Sequence, residues 1–104
     1  MDGQRHCLLL VQFNSGVASR TFLDYDTPGA AMDGVCLLYE KELQVLNPKL
    51  QNITYDISDL YSYVDQLHDV SMLIYQEPIQ GYIPRNREWV KKQLYNHLRS
   101  QSAR

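Results

Sequence analysis

Two hydrophobic periods alternate along this chain, and the switches between them mark its elements. His6 to Phe13 and Ser19 to Tyr25 are apolar and β-prone, and Asn14-Ser15-Gly16-Val17-Ala18 between them has hairpin-loop chemistry. This predicts two antiparallel strands. The period then lengthens. Met32, Val35, Cys36, Tyr39, Leu43 and Leu46 recur at helical spacing, opened by Thr27 as cap with Pro28 at the first helical position and stopped by Asn47-Pro48. Within Ile53-Thr54-Tyr55-Asp56-Ile57-Ser58-Asp59-Leu60, an extended approach leads to Asp56, an N-cap three residues before an acidic residue. Ile57, Leu60, Tyr61, Val64 and Leu67 then share one helical face, with Asp59, Ser62, Asp65 and Gln66 opposite. Val70 to Gln76 and Gly81 to Pro84 read as third and fourth strands, joined across Glu77-Pro78-Ile79-Gln80. Asn86 caps a last helix whose inward stripe is Val90, Leu94, His97 and Leu98, with Glu88 placed to pair with Lys92 one turn on.

The order ββααββα predicts an α+β fold, a four-stranded antiparallel sheet with three helices on one face, because three apolar stripes must bury together. Residues 1–104 form a single domain in this reading, with a tail fraying from about residue 100. Side chains alternate along a strand, so Cys7, Leu9, Val11 and Phe13 form one row of the first strand and His6, Leu8, Leu10 and Gln12 the other. A sheet exposed on one face should read apolar-in and polar-out. Here both rows carry leucines. Whichever row meets the helices, the other presents an apolar patch, with Arg20 and Phe22 beside it on the second strand. The expectation is a symmetric dimer formed through the other sheet face.

Composition and charge narrow the function. No apolar run approaches the roughly 18 residues that span a bilayer, and the N-terminus lacks the apolar stretch of a secretory signal, so no membrane partner is expected. Cys7 and Cys36 have apolar neighbours and no CxxC or Cys/His spacing, which predicts reduced core thiols. The net charge of −2 is divided unevenly. Arg85, Arg87, Lys91, Lys92, Arg99 and Arg104 face Glu88 alone, giving +5 over residues 85–104, and the rest of the chain carries −7. Contact of Arg87, Lys91, Lys92 and Arg99 with RNA is one alternative, but a basic helix end is more often a solvated face.

Catalytic patterns are lacking in the sequence. His6, His68 and His97 lie on different elements, and the glycines form no phosphate-cradling loop. Asp65 and Asp69, read as four apart on the second helix, have a spacing that could hold a metal, though a solvated acidic face accounts for them. No metal, cofactor or catalytic residue is expected. A small dimeric α+β barrel enzyme is the remaining catalytic alternative; it would need a cavity between sheet and helices, where this chain places large side chains.

The order and spacing of several motifs go further. Leu8-Leu9-Leu10-Val11-Gln12, Arg20-Thr21-Phe22-Leu23-Asp24-Tyr25, Met32-Asp33-Gly34-Val35-Cys36, the Ile53–Leu60 run, Leu73-Ile74-Tyr75, Tyr82-Ile83-Pro84 and Trp89-Val90-Lys91 together resemble the enhancer of rudimentary homologue family, from Leu8 to Leu98. The resemblance implies a homodimer with His6, Leu8, Leu10, Gln12, Arg20 and Phe22 as its face. It also implies a non-catalytic adaptor in the nucleus, with a cytoplasmic pool allowed. Such an adaptor binds short segments of RNA-processing and transcription-related proteins, YTH-type RNA-binding proteins and microRNA-processing factors among them. Leu37 and Val45 stand where relatives carry lysine or arginine. With Leu38, and with Ala31 on the same line, they form a possible partner surface. Thr21 begins an acidic T-x-x-D pattern suited to casein kinase II, and the resemblance places a phosphorylatable threonine there.

Overall fold

The computed structural model describes residues 6–49 and 54–102. Ile53, expected in the extended approach to the second helix, and the last two residues of the tail lie outside them. Strands β1 (Cys7–Gln12) and β2 (Arg20–Tyr25) are followed by helices α1 (Pro28–Leu46) and α2 (Ile57–Gln66). Strands β3 (Asp69–Gln76) and β4 (Gly81–Arg85) and helix α3 (Arg87–Ser102) complete the order ββααββα. All strand pairings are antiparallel and the spatial order is β2-β1-β3-β4, so the leucine-rich first strand lies inside the sheet.

Local chemistry accounts for each boundary. Asn14 turns the first hairpin, its Oδ1 accepting from the Gly16 N–H at 2.8 Å. The Thr27 hydroxyl accepts from the Ala30 N–H at 3.1 Å and Pro28 follows at the first helical position. Asp56 and Asp59 form a reciprocal capping box: Asp56 Oδ1 accepts from the Asp59 N–H at 3.0 Å, and Asp59 Oδ2 accepts from the Asp56 N–H at 3.1 Å. Asn86 Oδ1 caps α3 through the Trp89 N–H at 2.9 Å. That helix runs to Ser102.

The core lies between the sheet and the three helices. Cys7, Leu9, Val11, Val70, Met72 and Ile74 supply its floor; Met32, Val35, Leu60, Val64, Val90 and Leu94 come down from above. Both cysteines are buried and outside any disulfide, and burial pushes the Cys36 thiol upward. Gly34 lets α1 pass close to the sheet: an added Cβ would fall on the Tyr25 hydroxyl, 2.5 Å from its Cζ. No helix among the described residues is long and apolar enough to cross a membrane.

Several expectations change. Leu46, placed on the core stripe, is 66% exposed. Ala31 is buried and Leu38 packs against the core, so their line with Val45 is not a surface stripe. Asp69 is not on α2: the backbone turns extended at Leu67 (ψ 137°), and Asp69 opens β3 opposite Gln12. Tyr63, unassigned by periodicity, packs against the core and against Tyr39, ring centroids 5.0 Å apart. Glu88 pairs with Lys91 at 3.8 Å rather than with Lys92, since Lys91 is held toward α2 by Asp65 at 3.0 Å.

Candidate functional site: an open sheet face and a groove between helices

Register divides the sheet into two surfaces. Cys7, Leu9 and Val11 point to the helices, so Leu8, Leu10 and Gln12 point away, with Asp24, Phe22 and Arg20 opposite them on β2. On the other side of β1 the same face carries Leu73, Ser71 and Asp69, and on β4 Tyr82 and Pro84. Phe22 is 69% exposed, and Leu8, Leu10 and Leu73 are only half-buried. This is an apolar band without helical cover. The six residues expected to form a dimer face thus share one surface, and Leu10, Gln12, Arg20 and Phe22 together line a depression of about 190 Å³.

The polar members of that face already have partners within the chain. Arg20 Nε donates to Gln12 Oε1 at 3.0 Å, and Gln12 Nε2 donates to the Asn14 carbonyl at 2.9 Å. His6 Nδ1 shares a hydrogen bond of 2.7 Å with the Tyr82 hydroxyl and its Nε2 lies 3.5 Å from Asp24. Within one chain these groups hold one another in place. Thr21 pairs with Val11 and so belongs to the helix-side row of an edge strand. It is exposed, and it joins Leu10, Gln12, Arg20 and Phe22 in lining that depression.

A second feature lies between α1 and α2. Tyr39 packs edge-on to Tyr55 at 4.9 Å, and the Tyr55 hydroxyl donates to Glu40 Oε2 at 2.7 Å. Burial, and then that bond to a carboxylate, hold the Tyr55 phenol well above the usual tyrosine range. Farther along α1, the helices leave a groove of about 420 Å³. Phe13, Leu43, Leu46 and Leu67 give it apolar walls, and Glu42 and Asp59 are its charged members. Sequence reasoning missed the groove, because periodicity placed Leu43 and Leu46 in the core. Of the proposed partner surface on α1, Leu37 and Val45 are exposed (55% and 75%), whereas Leu38 is half-buried.

The basic end is largely engaged inside the molecule. Arg87 Nη2 donates to the Leu67 carbonyl at 2.8 Å and the His68 carbonyl at 3.3 Å, closing the C-terminal end of α2. Lys91 is paired with Asp65 and Glu88, the Arg85 guanidinium lies over the Trp89 ring at 5.6 Å, and Arg99 contacts Tyr95. His97 Nε2 donates to Asp33 Oδ1 at 2.7 Å, linking α3 to α1. Among the described residues, no group of three or more His, Cys, Asp or Glu side chains is placed to hold a metal ion.

The comparisons with known proteins now decide the family. The family described as enhancer of rudimentary matches residues 3–104. The chain belongs to the enhancer of rudimentary family. It is 47% identical over 98 residues to an enhancer of rudimentary homolog of Arabidopsis thaliana, covering 94% of this chain and 90% of the relative. The homolog of Dictyostelium discoideum is 44% identical over 93 residues, covering 89% and 93%. A protein enhancer of rudimentary of Drosophila virilis is 43% identical over 94 residues, covering 90% of each chain. The family resemblance read from the ordered motifs, and the α+β fold read from the hydrophobic pattern, are both borne out.

Proposed function

We propose that the protein is a non-catalytic, homodimeric nuclear adaptor that binds short segments of RNA-processing and transcription-related proteins. The observation that carries this reading is the apolar band of Leu8, Leu10, Leu73 and Phe22 on the sheet face opposite all three helices. Apolar surface of this kind marks an interaction site, and a face built on one central strand pairs naturally with its own copy. The internal bonds of Arg20, Gln12 and His6 favour this use, because polar groups satisfied within the chain need no new partner when water is excluded. The engagement of Arg87 and Lys91 in helix–helix contacts favours a protein partner over direct RNA binding.

Light scattering on the purified protein tests the assembly. Wild type should be a dimer at micromolar concentration, and Leu10→Asp should be a folded monomer, since it would set an unpaired carboxylate against its symmetry mate. A monomeric wild type overturns the assembly. Tagged protein should recover RNA-processing proteins from nuclear extract, and nuclease should not release them. Release of every partner by nuclease, with tight RNA binding by the pure protein, would overturn the adaptor reading.

A further inference from the structure

The groove between α1 and α2 is built differently from the open sheet face. Its walls include side chains that water still reaches: Phe13 is 38% exposed and Leu46 is 66% exposed. Leu43 and Tyr63 are half-buried beside them. At about 420 Å³ it is large enough for a few bulky side chains and too small for a folded module. Its charge has one sign. Glu42 and Asp59 contribute carboxylates, and no lysine or arginine is among the lining residues. Every charged side chain of α2 is acidic. The tyrosines of the walls register the same field. Beyond the effect of burial, the negative charges of Asp59 and Asp56 push the Tyr39 phenol up, and Glu42 does the same to Tyr63.

We infer that this groove docks a short amphipathic protein segment that inserts large apolar side chains between α1 and α2 and sets lysine or arginine against Glu42 and Asp59. The inference rests on the adaptor reading and gives its partner a chemistry. Phosphate-bearing ligands are disfavoured by the same carboxylates. A peptide is favoured because apolar anchors fill the pocket while flanking charges fix orientation. The groove lies within one subunit, so docking does not require the sheet-face dimer.

The test is a display library of random short peptides selected on the full-length protein. Selected sequences should combine large apolar residues with lysine or arginine. Amide shifts on binding a selected synthetic peptide should cluster on residues 39–46 and 59–67. Glu42→Lys, on an exposed helix position, should weaken that peptide at least about fivefold and should favour peptides with acidic flanks. Leu46→Glu should weaken it about tenfold, and the spectrum of each free variant should remain that of the folded protein. Leu10→Asp should bind the peptide as wild type does, so a failed dimer and a failed groove give different results. Selection of acidic peptides, shifts on the open sheet face, or no binder at all would overturn the inference. So would a change of oligomeric state in Leu46→Glu, which would make a second copy the occupant. Close contacts of Leu50 or Ile53 with Leu46 that persist in the presence of peptide would make this chain's own segment the occupant, and would overturn it equally.

Discussion

Gly34→Ala should destabilise this protein even though alanine is the better helix former. Glycine inside a helix costs about 1 kcal/mol relative to alanine, so in isolation the substitution should help. The added methyl, however, would land on the Tyr25 hydroxyl, 2.5 Å from Cζ and 2.9 Å from Cε1. Overpacking of this kind costs about 1–3 kcal/mol. Tyr25 is half-buried and its ring end can tilt outward, which places the cost near the middle of that range. The net expectation is a loss of about 1 kcal/mol, the clash outweighing the helix gain. In a Tyr25→Ala background the obstacle is gone, and the same substitution should stabilise by about 1 kcal/mol. The coupling between the two sites is therefore about 2 kcal/mol, well above the error of additivity for independent positions. Urea unfolding of the four proteins in the cycle measures it, provided the m-values agree. If Gly34→Ala stabilises the wild-type background, or the two substitutions simply add, the close approach of α1 to β2 does not govern this position.

Tyr55→Phe should cost about 1–2 kcal/mol through the lost bond to Glu40, measured by denaturant titration. The folded-state pKa of Tyr55 is raised above its ordinary value of 10.0, so its contribution is complete below pH 10 and is lost as the pH rises further; Tyr55→Phe should remove that part of the alkaline slope. Arg87→Ala leaves the Leu67 carbonyl without its charged donor and should cost about 1–3 kcal/mol, with faster amide exchange at the end of α2. Gln80→Gly relieves a left-handed residue (φ 49°) in the β3–β4 connection and should raise stability by up to about 1 kcal/mol in thermal unfolding. Thr21→Glu sets charge at the depression beside Leu10 and Phe22 and should weaken the dimer in light scattering; an unchanged dimer would show that this edge lies outside the interface.

Local signals carried most of the fold. Thr27-Pro28, Asp56 with Asp59, and Asn86 place the helix starts because caps act within four residues, and the alternation along Cys7–Gln12 correctly separates the two faces. Errors arose where a distant element decides the outcome. Leu46 keeps the helical period but stands in the wall of the groove between α1 and α2, not in the core. Lys91 has acidic residues on two helices within reach, and Asp65 of α2 competes with the neighbours on its own helix. The α2 ending was missed because Leu67 is both a periodic apolar residue and the point where the backbone turns extended. The sheet face was legible because a strand has only two sides. The groove was not, since it depends on how far two helices diverge.

The position of β1 also has a consequence for how the chain is made. One of its edges is filled by β2, its immediate neighbour in sequence, and the other by β3, which arrives more than fifty residues later. A ribosome working from the N-terminus delivers the hairpin early and leaves one side of Leu8-Leu9-Leu10 without a strand until β3 emerges. An unpaired, leucine-rich strand edge is a template for other chains. The interval before β3 docks is therefore the period of greatest aggregation hazard for a nascent molecule, and the long crossover through α1 and α2 sets its length.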